Sequence, residues 1–178
     1  MTNQHTTQPY LDNLAAATAS PGGGSAAAVA GAMGAALVSM VCNLTVGREK
    51  FSTVDAQMRE ILAESESLRV ELTQLSTDDS EAFDQVMAAF QLPKDTDEEK
   101  ATRREAIQSA TKQATLTPLA TARACAGVIE LCQQVAQMGN PNAISDAGAG
   151  AACAQAGLQA ASLNVLINLP SIKDRQFV

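Results

Sequence analysis

Aromatic side chains make up only 3% of this 178-residue chain, and tryptophan is absent. A core must therefore be assembled from Ala, Leu, Val, Ile and Met. That palette suits close-packed helices better than sheets, because β-branched and aromatic residues are scarce and Ala leads the helix scale. Cations are also short: 12 Lys and Arg stand against 19 Asp and Glu, for a net charge of −7. This argues against a nucleic-acid partner, whose phosphates need clustered Lys and Arg. The four cysteines, Cys42, Cys125, Cys132 and Cys153, have no metal-ligand spacing. Met1 to Asn13 lacks the basic start and apolar centre of a secretory signal. A reducing compartment, the cytoplasm, is expected, with the thiols as small buried hydrophobes. The single histidine, His5, sits in a polar arm and receives no role.

What is present is apolar surface, 46% of residues, enough for one domain with a real core. The expectation is an all-α, single-domain helical bundle over residues 1–178. Asn13 to Gly47 and Ala147 to Ile172 contain no Asp, Glu, Lys or Arg. Their length raises a membrane span, but they are rich in Ala, Gly, Ser, Asn and Gln and lack basic flanks or an aromatic belt. Buried central helices, with no membrane partner, are the better reading. Small residues recur four apart in Ala27/Gly31/Ala35 and Ala30/Gly34. Such a seam admits another helix closely, from this chain or from a second subunit.

The pattern predicts a short helix over Tyr10 to Thr18 and a central helix from Ser25, which can cap it, to Val46, with Gly47 as the stop. A third helix runs from Thr53 to Phe90, with a break at Ser76 to Asp78 as the alternative, and Pro93 ends it. Thr96 and Glu99 form a capping box for a helix to Leu116. Thr117-Pro118 restarts the chain toward Met138, and Gly139 stops it. Asn140 to Asn142 is a turn, and a last helix runs from Ser145 or Asp146 to Asn168. Lys173 to Val178 carries no stop signal and reads as an element cut off, so the chain is expected to be truncated at its C-terminus.

Three stretches could carry chemistry. Ser20-Pro21-Gly22-Gly23-Gly24-Ser25 delivers a turn onto a helix start. Without Cβ atoms it admits left-handed φ values and close approach of a ligand to main-chain N–H groups, making a seat for a carboxylate, carbonyl or phosphate. A flexible linker is the bland alternative. Asp79 falls on the stripe of Leu72, Leu75, Ala82 and Phe83, so a carboxylate is aimed where an apolar side chain belongs. Buried carboxylates are costly without a partner or a task; otherwise Asp79 caps the second half of a broken helix. Asn142 to Asp146 gathers amides, a hydroxyl of Ser145 and the Asp146 carboxylate at a helix start, where a plain N-cap is the ordinary explanation. Asn164 and Asn168 stand one turn apart on a face of Gly150, Gly157 and Ala161, able to read a heterocycle or to bond a neighbouring helix. Asn43, followed by Arg48 and Lys50, offers an amide and two cations for an anionic tail, or a solvated surface.

Taken together, SPGGGSAAAVAGAMGAALVSMVCNLTVGREKF, DDSEAFDQVM, LPKDTDEEKATR, GNPNAISDAGAG and SLNVLINL resemble the methenyltetrahydrofolate cyclohydrolase and formiminotetrahydrofolate cyclodeaminase family. The likeness is collinear over nearly the whole chain and is greatest to the stand-alone cyclohydrolases of bacterial one-carbon pathways. Family members usually continue past Val178, and Arg48-Glu49 stands where a more basic stretch is usual. The resemblance implies an all-helical homodimer that hydrates 5,10-methenyltetrahydrofolate to 10-formyltetrahydrofolate without metal or other cofactor. Asp79 and Asp146 would be catalytic. Pro21, Gly22, Gly23, Gly24, Ser25, Asn43, Lys50, Asn142, Ser145 and Asn164 would bind the folate. Cyclodeamination of 5-formiminotetrahydrofolate is the alternative chemistry. A non-catalytic dimerisation module would explain the small residues but not Asp79.

Overall fold

Helix after helix follows from the Ala-rich composition. In the computed structural model, which describes residues 7–178, these are α1 (Gln8–Leu14), α2 (Gly23–Asn43), α3 (Asp55–Gln91), α4 (Asp97–Met138) and α5 (Ile144–Asn168), with no strand among the described residues. The chain is all-α, as its composition predicts. His5 lies outside the described residues.

α2 occupies the centre and packs on α3, α4 and α5. It is long and apolar enough to cross a membrane by composition alone, but Ala27, Ala28, Ala35, Val38, Val41 and Cys42 are buried within the bundle. The Ala27/Gly31/Ala35 seam is spent inside the chain rather than between subunits. A Cβ on Gly31 would meet Cys125 Sγ at 2.5 Å and the Leu72 methyls at 3.0 Å, and one on Gly34 would meet the Gly150 carbonyl at 2.8 Å. Burial pushes the Cys125 thiol up to about 11, the mark of a packing group rather than a nucleophile.

α3 buries Met58, Ile61, Ser65, Leu72, Leu75, Ala82 and Ala89 along one stripe of three-and-four spacing. It runs unbroken through Ser76 to Asp78, so Asp79 lies inside a continuous helix and caps none of its own. The predicted restart at Thr117-Pro118 is also absent, because α4 continues through Pro118 to Met138. Proline leaves the carbonyl four residues earlier without its helical donor. Here that carbonyl, Ala114, accepts a hydrogen bond from Asn168 Nδ2 at 3.0 Å. The capping box forms as expected: Glu99 N–H donates to Thr96 Oγ1 at 3.1 Å, and Thr96 N–H to Glu99 Oε2 at 2.9 Å.

α2 ends at Asn43, three residues before the predicted Val46. Gly47 still marks the reversal with φ of 75°, a left-handed value glycine takes without strain. Its N–H donates to Asp55 Oδ1 at 2.6 Å. Asn140 ties the far end of α4 to this corner, its N–H donating to Thr45 Oγ1 at 2.9 Å. α2 and α5 are therefore antiparallel: the start of α5 lies by the end of α2, and the end of α5 by the start of α2. Residues 172–178 form turns along α4, held by Lys112 Nζ on Asp174 Oδ2 at 2.7 Å.

Candidate active site

The start of α2 lacks a side-chain cap of its own. Gly22 is the N-cap residue in an extended conformation, and Gly23 opens the helix. Ser25 does not cap, as the sequence suggested; it occupies the third helical position. The cap comes instead from α3, because Ser25 N–H donates to Asp79 Oδ2 at 2.9 Å. A carboxylate at this point also meets the positive end of the α2 dipole. Left-handed φ values are not used at the glycine turn, since the positive-φ glycine among the described residues is Gly47. What the turn needs is room: a Cβ on Gly24 would fall 2.5 Å from Asp79 Cγ, and one on Gly23 3.3 Å from Asn164 Nδ2.

A cleft of about 360 Å³ opens here, lined among others by Ser20, Gly22–Gly24, Asp79, Phe83, Thr111 and Asn164. Its size falls in the lower part of the range of roughly 300–1,000 Å³ usual for small-molecule sites. Phe83, Val86 and Ile167 supply apolar walls, and Asn164 and Asn168 supply amides. Asn168 is spent on Ala114, the neighbouring-helix role foreseen for it, and Asn164 Nδ2 donates to Ala160 O at 2.9 Å, leaving its carbonyl oxygen for other partners. Burial pushes the Asp79 carboxyl above its usual range, and the Ser25 N–H draws it partly back. Oδ2 is fixed by that bond, whereas Oδ1 has no partner in the chain and is not sealed from solvent. One anchored and one open oxygen, on a carboxyl that burial shifts upward, form an arrangement that can serve general acid–base chemistry.

Pro21 adjoins this turn by sequence, its peptide bond with Ser20 being cis. The other proposed site residues are elsewhere. Asn43 ends α2, Lys50 is exposed in a 3₁₀ turn with its Nζ over the Phe51 ring at 5.2 Å, and Asn142 lies in the turn before α5. Ser145 and Asp146 are in the first turn of α5, which starts at Ile144 with Ala143 as N-cap, so neither is the plain cap. Eighteen residues of helix separate Asp146 from Asn164, about 27 Å. One chain thus holds two clusters at opposite ends of an antiparallel helix pair. Sequence reasoning left Phe83, Val86, Thr111 and Ile167 off the site. Phe83 had a signal, one turn past Asp79 on the same stripe; Thr111 on α4 had none.

The helical bundle has known counterparts. The chain belongs to the formiminotransferase-cyclodeaminase family, whose sequence profile matches residues 6–178. Among individual proteins, methenyltetrahydrofolate cyclohydrolase of Methylorubrum extorquens is 53% identical over 177 residues, covering 99% of this chain and 85% of that protein. Formimidoyltransferase-cyclodeaminase of Sus scrofa is 39% identical over 168 residues, 94% of this chain but 31% of that longer protein. The crystal structure of formiminotetrahydrofolate cyclodeaminase from Thermotoga maritima superposes with a TM-score of 0.83 at 33% identity, over 94% of this chain and 80% of that one.

Proposed function

We propose that this chain is a methenyltetrahydrofolate cyclohydrolase, hydrating 5,10-methenyltetrahydrofolate to 10-formyltetrahydrofolate in the cytoplasm. The observation that carries the mechanism is the Asp79 carboxylate in the glycine-lined cleft, with one oxygen tied to Ser25 N–H and the other open. The substrate is a cation delocalised over N5, the bridging carbon and N10, and an anion facing it lowers its energy in the cleft. Water adds its oxygen to the bridging carbon while Asp79 Oδ1 takes one of its protons, which quenches the cation. The resulting tetrahedral carbon then expels N5, which receives the proton held on Asp79, and the remaining hydroxyl proton leaves to solvent as the formyl carbonyl forms on N10. The balance is one water consumed and one proton released. Asp79 relays one proton from water to N5 and solvent takes the other, and no metal or further cofactor is invoked.

The bland face of the bundle completes this reading. The exposed sides of α2 and α5 present Met33, Met40, Leu163 and Ile167, the last 75% exposed, within segments that carry no charge. An uncharged apolar face of this kind is covered in a stable protein. A second copy docked antiparallel across it brings the Asn142, Ser145 and Asp146 cluster of one subunit toward the Asp79 cleft of the other. The homodimer thereby accounts for two groups of polar residues that one chain keeps about 27 Å apart. Asp146 and Asn142 would then orient the substrate, with Asn43 and Lys50 near its anionic tail.

Cyclodeamination of 5-formiminotetrahydrofolate passes through the same tetrahedral carbon, with nitrogen in place of oxygen, and the family includes proteins so named. The deciding experiment gives purified protein both substrates and follows the methenyl absorbance. It falls with time for the cyclohydrolase and rises from the formimino compound for the cyclodeaminase; inertness toward both would reject the enzymatic reading.

A further inference from the structure

We infer that Tyr10 and Ser76 are positioning residues for Asp79, acting through the hydroxyl of Ser25. The inference rests on the cyclohydrolase reading above and adds residues that reading does not use.

Ser25 is 1% exposed and is held from three sides. Its N–H donates to Asp79 Oδ2 at 2.9 Å, its Oγ lies 2.8 Å from Ser76 Oγ, and the same Oγ lies 3.1 Å from Tyr10 OH. A hydroxyl donates once and accepts twice, so Ser25 satisfies both neighbours at once. Ser76 precedes Asp79 by one turn on the same helix. α3 is therefore bound to Ser25 twice, by a hydroxyl at Ser76 and by a carboxylate at Asp79. Two attachments one turn apart fix both the rotation of α3 against α2 and the side-chain torsion that aims Oδ1 into the cleft.

Tyr10 closes the chain from outside. α1 buries none of its residues, and among the described side-chain hydrogen bonds the one from Tyr10 is what joins α1 to the bundle. A short helix with no fully buried residue, only Tyr10 and Leu14 being half-buried, contributes little to stability through packing. The Tyr10 hydroxyl instead fills a second of the three hydrogen-bonding sites of Ser25 Oγ, beside Ser76, and so helps to fix the residue that grips Asp79. The three hydroxyls come from α1, α2 and α3 and meet at Ser25 Oγ, on the residue whose amide holds Asp79.

The test compares Tyr10→Phe and Ser76→Ala with the parent enzyme, measuring kcat and KM from pH 4 to 9 beside thermal melts. Each variant is expected to lose roughly 3- to 10-fold in kcat, the effect of one lost hydrogen bond, with KM and melting temperature nearly unchanged. The acidic limb of kcat should also move to higher pH, because the Ser25 N–H that holds the Asp79 carboxyl down is less well fixed. Parent kcat and an unmoved limb in both variants would overturn the inference, as would a lowered melting temperature with an unmoved limb. Asp79→Asn in the same assay keeps the two readings apart. If it is inactive while Tyr10→Phe and Ser76→Ala behave as the parent, positioning fails and the catalytic role stands; if it is active, the catalytic role fails first.

Discussion

The Asp79 carboxylate fills the space that a Cβ on Gly24 would need: a methyl group there would sit 2.5 Å from Asp79 Cγ. The obstructed atoms are the end of a side chain rather than backbone, so Gly24→Ala can be relieved by swinging the carboxylate aside. The variant should stay folded at a cost of about 1–3 kcal/mol, the scale of overpacking and a lost helix cap, yet lose on the order of 10²-fold in turnover, the scale of a misplaced catalytic group. Thermal melts and kcat on the same preparation check it.

The Asn168–Ala114 bond predicts a coupling. Asn168→Ala leaves the Ala114 carbonyl without a donor and should cost about 1–3 kcal/mol. Pro118→Ala restores a backbone N–H to that carbonyl, so the same Asn168→Ala change should cost measurably less in its background. A double-mutant cycle by denaturant unfolding reads the difference; strict additivity would mean that Asn168 does not compensate for the proline.

Asp79 should also trade stability for function. Burial raises its carboxyl, so the native state binds that proton more tightly than the unfolded chain does. That contribution is complete below the unfolded value near about 3.9 and is lost as pH rises through the raised folded value. Asp79→Asn should therefore melt no lower than the parent at neutral pH, and the difference in Tm, variant minus parent, should grow between pH 4 and 8. Melts of both proteins across that range test the sign.

Much of this arrangement was legible in the sequence. The three-and-four stripe of α3 put Asp79 on an inward face, and Gly139 and the Thr96/Glu99 box marked real boundaries, whereas Gly47 marks the chain reversal beyond the earlier end of α2 at Asn43. The continuity of α4 was not legible, because the donor that rescues Pro118 comes from 54 residues away. A small-residue seam says that some helix approaches, not which one, so Gly31 and Gly34 could not be assigned to partners within the chain. Clusters near Asp79 and Asp146 looked like one site because both mark helix starts or inward faces. Only the antiparallel run of α2 and α5 reveals that they lie at opposite ends.

That separation gives a prediction for the assembly. Asp79→Asn and Asp146→Asn should each inactivate their own homodimers, but mixed and reassembled subunits should regain activity. A symmetric dimer with shared sites leaves one intact site in every heterodimer, so random pairing should restore about a quarter of the parent rate. Met33→Glu should abolish that recovery by separating the subunits, as size-exclusion chromatography would record. No recovery from well-formed heterodimers would place each site within one chain.

The central claim is that Asp79 performs the proton transfers. The most direct measurement is the rate of methenyltetrahydrofolate absorbance loss catalysed by Asp79→Asn against the parent, each shown to be folded and of equal size. A fall of about 10²-fold or more in kcat, the usual effect of removing a placed acid–base group, is the expected result; a folded variant that turns over at the parent rate would contradict it.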